Sequence, residues 1–470
     1  MNLRSVEDVV AHAKLLEGFE FEHLHPEAKD LEKSHKGGFG HLVEWVHFGV
    51  EPNSRSGPDL EDLGVEIKTT PMKKLKRGGI KSKERLVLGI IDYHALIEES
   101  FLTSSFFRKN ELILLVFYLH ESGKRKAQLK TLVTGLLNLN EWDLEVMERD
   151  WELIQNKVKQ GEAHLLSEGD TMFLSACTKG ANAKSLRTQP NSEEKAMQRA
   201  FALKSSYLNV IYDSFKRSKR STSRASIQAK GTETLHLDNH LAELNSWHRN
   251  LTAAEIASDL GGDFSENSKS FLHSLCVRML TGTKARSVEE FDKANIQLKT
   301  IRLKSDGTPK ESMSFPAFKF MDLVNESWVD SDFFDLLDSK KFCFAVFQCE
   351  NKDCSGDRLF KGFYLWNMPQ SDIAKAAKTW RLTKTLVRSG TIVKELKETK
   401  RGIERQTHFP GQKSTDVAHV RPHAQNAVDV YPLPTADQLT GATEYTKQSF
   451  WLNADYLKKV IANLQSVPNR

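Results

Sequence analysis

The chain has 470 residues, 39% of them hydrophobic and 27% charged. At roughly 150 residues per domain that length excludes a single small module, and the composition excludes a disordered or collagenous chain. With 67 Lys and Arg against 62 Asp and Glu the net charge is only +5, so any polyanion-binding surface must come from local clustering.

From the N-terminus, MNLRSVEDVVAHAK lacks the apolar core of a signal peptide, and residues 5–16 have helical spacing. A second helix is expected over 40–48, where Leu42, Val43 and Val46 share a face with Glu44 beside it. Strand patterns follow at 64–70, 85–91 and 111–119, with turn chemistry at Gly57-Pro58 and Gly78-Gly79. The longest apolar run, Leu112 to Leu119, is far below the ~20 residues of a membrane helix. Next come a long helix over about 142–159, a strand near 172–177 and a helix from about 193 to 215. This mixed order reads as an α/β or α+β domain. The stretch 215–230 is basic, contains no acid and reads as a linker; a solvated tether is favoured over a phosphate-binding arm. The basic run Lys73 to Arg85 reads equally as a solvated hairpin tip or a phosphate contact. In NLTAAEIASDLGG (250–262) a capped helix starting after Thr252 is favoured over a helix-turn-helix. The cysteines, Cys177, Cys276, Cys343, Cys349 and Cys354, are odd in number and lack paired CxxC spacing. They fit core thiols of a cytoplasmic protein better than a disulfide framework or a zinc site.

The chain also repeats itself. NIQLKTIRLK (295–304) echoes GVEIKTTPMK (64–73) at an offset of 231 residues (297 − 66 and 299 − 68). The segments 310–328 and 331–347 then echo 83–101 and 104–117 in the same order, which favours two homologous halves.

The sharpest chemical pattern is PDLEDLGVEIK (58–68), in which Asp59 precedes a strand that sends Glu66 and Lys68 to one face. Two carboxylates suit a hard divalent cation such as Mg2+, and the ammonium suits a metal-activated water or a phosphate under attack, so phosphodiester hydrolysis is the chemistry implied. On spacing alone, a half-exposed strand with Glu and Lys facing solvent is the commoner explanation. No GxSxG, P-loop or HExxH accompanies the pattern, and Gly37-Gly38-Phe39-Gly40 does not complete a dinucleotide fingerprint.

KGGFGHLVEW (36–45) followed by PDLEDLGVEIKT (58–69) resembles the signature of the MutH family of GATC-directed DNA endonucleases. The resemblance implies an active site of Glu44, Asp59, Glu66 and Lys68, with Lys109 as a further basic residue and Mg2+ as cofactor. KGANAKSLRTQP (179–190) is similar to the family's DNA-reading loop, which marks Lys179, Asn182, Ser185 and Arg187; without the family match it reads as a polar surface loop. RAFALKSSYL (199–208) is similar to the segment after it, which adds Lys204, and Ala202 there replaces an aromatic methylation sensor, which implies tolerance of adenine methylation. Two such halves, with HVRPHA (419–424) and TKQSFWLN (446–453) near the end, resemble the Sau-three-A type of restriction endonuclease, and Arg421 and His423 are the corresponding residues of the second half. In that half Gln297 stands for the metal-binding Glu, Glu290 falls where Asp59 does, and Lys299 is kept, so catalysis there is expected to be lost.

The expected protein is a restriction-endonuclease-like α/β (α+β) chain. It would have a catalytic domain at 1–214, a basic linker at 215–235 and a DNA-binding, allosteric domain at 236–470. It would cut double-stranded DNA at GATC, use up to two DNA sites, and have a DNA methyltransferase as genetic partner and no membrane contact. The competing expectations are a GATC-binding regulator and a nicking repair-type endonuclease.

Overall fold

In the computed structural model the described residues are 3–34, 38–51, 57–75, 78–137, 139–179, 185–216, 224–227, 237–261, 270–354, 356–399 and 402–466. They form two compact units, one of residues 1–230 with 285–296 and the other of residues 231–284 with 297–470. Among the described residues no helix is long and apolar enough to cross a membrane.

In the first unit, helix α1 (Val6–Lys14) begins at Ser5, whose side chain accepts a hydrogen bond from the Asp8 amide. A short helix α2 (Phe39–Leu42) runs directly into a π-helical turn over Val43–His47. Strand β1 (Val65–Lys74) turns back into β2 (Ile80–Ser82) and lies parallel to β4 (Leu112–Leu119), which pairs with β5 (Lys130–Leu137). The sheet order is therefore β2-β1-β4-β5. β4 is central, and its unbroken apolar sequence follows from having both faces covered. Val9, Ala13 and Leu16 pack with Ile67, Leu114 and Val116 in one core, beside Phe39, Leu42 and Val43. That packing lays α2 and the π turn against β1.

A second sheet sets β9 (Arg199–Leu203) between β3 (Leu86–Ile90) and β6 (Leu174–Thr178), with a hairpin of β7 (Leu186–Gln189) and β8 (Ser192–Met197) alongside. The long helix α4 (Glu141–Lys159), which follows α3 (Ser105–Asn110), is fixed to β6 through Asp150. Its buried carboxylate accepts from the amides of Met172, Phe173 and Leu174 at 2.6–2.9 Å. Helix α5 (Ser205–Phe215) closes the repeat.

The second unit reproduces this plan. β10 (Ile296–Leu303), β12 (Lys341–Cys349) and β13 (Arg358–Trp366) form one sheet. β11 (Met313–Phe318), β15 (Gln448–Leu452) and β14 (Ala418–Pro422) form the other, in that spatial order. Helix α6 (Gln370–Ser389) takes the place of α4, and α7 (Ala454–Ser466) that of α5. Between α6 and β14 lies a hairpin of Val393–Thr399 with Gly402–Thr407 that β6 lacks on its approach.

Three sequence expectations need correction. The helix expected from 193 to 215 begins only at Ser205, because 192–203 form the strands β8 and β9; β8 is mostly exposed and β9 buried throughout, so neither carries the period-two alternation that marks a strand in sequence. Cys349 and Cys354 form a disulfide across the β12–β13 connection, while Cys177, Cys276 and Cys343 remain buried thiols. The basic stretch after 215 is not wholly a free tether. Arg224–Ala225 pairs with Ser287–Val288, and Arg224 bonds Asp213 and Asp292 at 2.9 Å. Residues 285–296 thus pack within the first unit although they fall in the chain's second half.

Candidate active site

The N-terminal end of β1 gathers the first unit's carboxylates and lysines. Glu66 has a side chain only 1% exposed. Its Oε1 accepts from Lys68 Nζ, two residues along the same strand face, and lies 3.6 Å from Lys109 Nζ. Its Oε2 accepts from the Asp59 amide at 3.1 Å. Asp59 in turn accepts the Ile67 amide on Oδ2 at 2.8 Å, so the 58–60 segment is clamped against the strand. Lys109 arrives from α3, the helix leading into β4, and also donates to the Gly57 carbonyl at 3.2 Å. Parallel pairing of Glu66 with Ile113 brings α3 to this strand end.

Glu44 comes from the π turn. A one-residue widening of a helix re-aims side chains, and here the turn is fixed by an interlocked histidine cluster. His12 Nε2 contacts the His47 carbonyl at 2.9 Å, His47 Nε2 contacts the His12 carbonyl at 3.0 Å, and His25 Nε2 contacts His47 Nδ1 at 2.9 Å. Gly40 is a residue that sequence reasoning passed over. A Cβ there would stand 3.2 Å from Thr69 Oγ1 and 3.4 Å from Glu44 Oε1, so glycine lets the helix approach β1 and leaves room for the carboxylate. Its signal in the sequence is the Gly37-Gly38-Phe39-Gly40 run, which by itself reads only as an incomplete dinucleotide fingerprint.

Electrostatics unify the group. Burial, reinforced by the negative charges of Asp59 and Glu66, pushes the Glu44 carboxyl up to about 7, with Lys68 and Lys109 opposing. Burial also raises Glu66, against the pull of Lys68. Excess negative charge on hard oxygen donors is the deficit that a divalent cation offsets, so the donor set of Glu44, Asp59 and Glu66 fits such an ion. Among the described residues the three do not stand as a ready-made cage, since Glu66 is turned to Lys68 and one Asp59 oxygen to Ile67.

The expected DNA-reading residues divide into three groups. Lys179 and Arg187 are exposed and Ser185 is half-buried, at the two ends of the β6–β7 connection; Arg187 donates from Nε and Nη2 to Gln198 Oε1 at 3.0 and 2.8 Å. Asn182 lies outside the described residues. In the second unit Arg421 is exposed on β14 with its guanidinium 4.8 Å from the Trp451 ring, and His423 reaches Ser449 Oγ at 2.9 Å. Lys204 sits elsewhere than expected. It is 4% exposed and donates to the carbonyls of Thr171 (2.6 Å) and Ala294 (3.3 Å), so its ammonium serves packing rather than a groove. Ala202 is fully buried against Val87, Cys177 and Ala200, which removes the argument that its small side chain opens space for a methyl group. Glu290, at the position matching Asp59, is 3% exposed and committed to Ser226 Oγ and the Ile227 amide.

A helix carboxylate, an Asp and a Glu-x-Lys strand, set on a doubled mixed-sheet scaffold, define the class as MutH-like. The family model "DNA mismatch repair enzyme MutH" matches residues 48–150 and again 281–377, so the chain carries two MutH-like domains in tandem. The type II restriction enzyme Sau3AI of Staphylococcus aureus is 35% identical over 465 residues, covering 92% of this chain and 94% of that protein. The mismatch repair protein MutH of Shewanella woodyi is 30% identical over 185 residues, or 38% of this chain and 77% of that protein. MutH of Vibrio vulnificus is 25% identical over 215 residues, or 43% and 91%. The chain belongs to the MutH-like, Sau3AI-type family of type II restriction endonucleases, enzymes that act on DNA phosphodiester bonds. Glu44 precedes the first matched segment, so its assignment leans on the geometry described above.

Proposed function

We propose that this chain hydrolyses both strands of double-stranded DNA at GATC sites in a Mg2+-dependent reaction, with the first unit cutting and the second binding DNA. The observation that carries the reading is the meeting of Glu66, Lys68 and Lys109, with Asp59 clamped beside them, at one end of β1.

Asp59 and Glu66, with Glu44 ionised, would hold the cation, whose chemistry when bound is to polarise the scissile phosphate and acidify a water. Lys68 is then released from Glu66 to orient the attacking water or to offset charge growing on the phosphate oxygens. Lys109, held by the Gly57 carbonyl, keeps a second positive charge at the same strand end. Sequence would be read by Lys179, Asn182, Ser185 and Arg187 in the first unit and by Arg421 and His423 in the second, since Arg and Lys pair with guanine edges and Asn with adenine. Coverage of 94% of Sau3AI, with both halves represented, supports two DNA sites and a methyltransferase partner over a single-domain nicking enzyme.

The test is incubation of plasmid DNA with the protein in Mg2+ and in EDTA, followed by mapping of the ends. Double-strand breaks at GATC only with Mg2+ are expected. Single-strand nicks, or binding without cutting, would replace this reading with one of its two competitors.

A further inference from the structure

The second unit keeps more of the first unit's site than Lys299. Lys340 directly precedes β12, at the same offset of 231 residues (340 − 109) from Lys109, which stands at the end of α3 three residues before β4 begins. β10, which carries Gln297 and Lys299, is the hydrogen-bonded neighbour of β12, as β1 is of β4. The two lysines that flank Glu66 in the first unit therefore both recur, while the carboxylate between them has become the neutral amide of Gln297. Lys299 is half-buried, and among the described residues the charge that acts on it is that of Lys340; burial and this like charge both lower its pKa. Asp59's counterpart does not supply the missing charge, because Glu290 is spent on Ser226 and Ile227.

Two ammonium groups sharing a half-buried strand end, with the amide of Gln297 two residues from Lys299 on the same strand, make a poor cation site and a good oxyanion site. We propose that Lys299 and Lys340, with Gln297, bind one backbone phosphate of a DNA duplex without cleaving it. The degenerate site thus positions DNA on the second unit, while the exposed Arg421 and His423 are left to face bases. A backbone phosphate carries no sequence information, so this contact contributes affinity and register rather than choice of site. The inference rests on the reading of the second half as DNA-binding.

The test uses the full chain in EDTA, titrated calorimetrically with a short GATC duplex across a KCl series, and separately with inorganic phosphate. The wild-type chain is expected to bind two duplexes. Lys299→Gln with Lys340→Gln should weaken one of the two events at least ~10-fold and reduce its slope of log K against log[salt] by about 0.9, the value for one phosphate contact. Lys340→Arg should restore most of the affinity, and thermal melts should match wild type. Two duplexes bound with unchanged affinity and slope in the double variant would overturn the phosphate site while leaving the DNA-binding reading intact. A single duplex bound by wild type would overturn both. Tight binding of inorganic phosphate that no duplex displaces would overturn the assignment to DNA.

Discussion

Lys68 donates to Glu66 across one face of β1, and that pair is the hinge of the site: the strand's only fully buried carboxylate is neutralised by a lysine two residues away. Glu66, one of the residues that would hold a divalent cation, is thus engaged by Lys68, and a cation bound there would free that lysine for the phosphate. Asp59→Ala, Glu66→Gln and Lys68→Ala should each lower the cleavage rate by about 10²-fold or more, on the order of 2.7 kcal/mol of barrier, with GATC binding nearly unchanged. Single-turnover cleavage beside a gel-shift titration reads the two quantities separately, and near-wild-type cutting by any variant would remove that residue from the site.

Glu44 ties stability to pH. Its carboxyl titrates near 7 in the fold against an ordinary 4.5. Between those values the folded state holds a proton the unfolded chain has lost, so stability is full below the ordinary value and falls as pH rises through the folded one. The shift corresponds to at most about 3 kcal/mol, reduced by solvent because the group is half-buried. Glu44→Gln should therefore raise the melting temperature at pH 8 in EDTA, leave it unchanged at pH 4.5, and abolish Mg2+-dependent cutting. A variant less stable than wild type at pH 8 would contradict the origin assigned to the shift.

His47, on the same π turn, works the other way. Burial, with the charges of His12 and His25, lowers its pKa to about 4 from the ordinary 6.5. The neutral ring is favoured in the fold, so stability is lost as pH falls through that window. Denaturant melts between pH 7 and 4 should show His47→Asn losing less stability with acid than wild type, with the two curves converging at low pH.

The first unit needs a segment from beyond the second unit's start. Lys293 Nζ lies 3.0 and 3.2 Å from the carboxylate oxygens of buried Asp143, which also accepts from Tyr207 Oη at 2.7 Å. Removing one partner of such a pair costs ~3–5 kcal/mol. Lys293→Met should lower the first unit's melting temperature markedly, and adding Asp143→Asn should recover part of the loss. A fragment ending at residue 230 should be similarly unstable, so its loss of activity would report folding as well as the loss of DNA binding. An unaltered melt in Lys293→Met would show the pair to be energetically idle.

Lys204 and Arg187 should separate packing from recognition. Lys204→Met, which strands two buried carbonyls, is expected to destabilise the fold by ~1–3 kcal/mol while leaving the preference for GATC over single-base variants intact. Arg187→Ala is expected to do the reverse, costing ~1–3 kcal/mol of discrimination at one base pair with little effect on the melt. Competition binding against a panel of substituted duplexes, beside thermal melts, distinguishes the two patterns.

The chain by itself determined the elements with strong periodicity and the residues whose chemistry needs only neighbours in sequence. The strand bearing Glu66 and Lys68 was legible because alternation fixes their shared face, Asp59 because it stands just before that strand, and the repeat because both halves keep the same strand pattern at one offset. Tertiary structure decided what depends on distant partners. Residues 193–203 look helical in isolation but form strands, β8 in a hairpin with β7 and β9 between β3 and β6. Lys204 looks like a reader of DNA but is drawn inward by the Thr171 and Ala294 carbonyls, the second of them 90 residues away. The glycine at 40 gained meaning only when α2 met β1, and residues 285–296 joined the first unit because Arg224, Asp143 and Ser226 offered partners that no local pattern announces. Periodicity encodes which face of an element is buried; it carries no record of which distant group will meet that face, and that meeting set both the charge balance around Glu44 and the fate of Lys204.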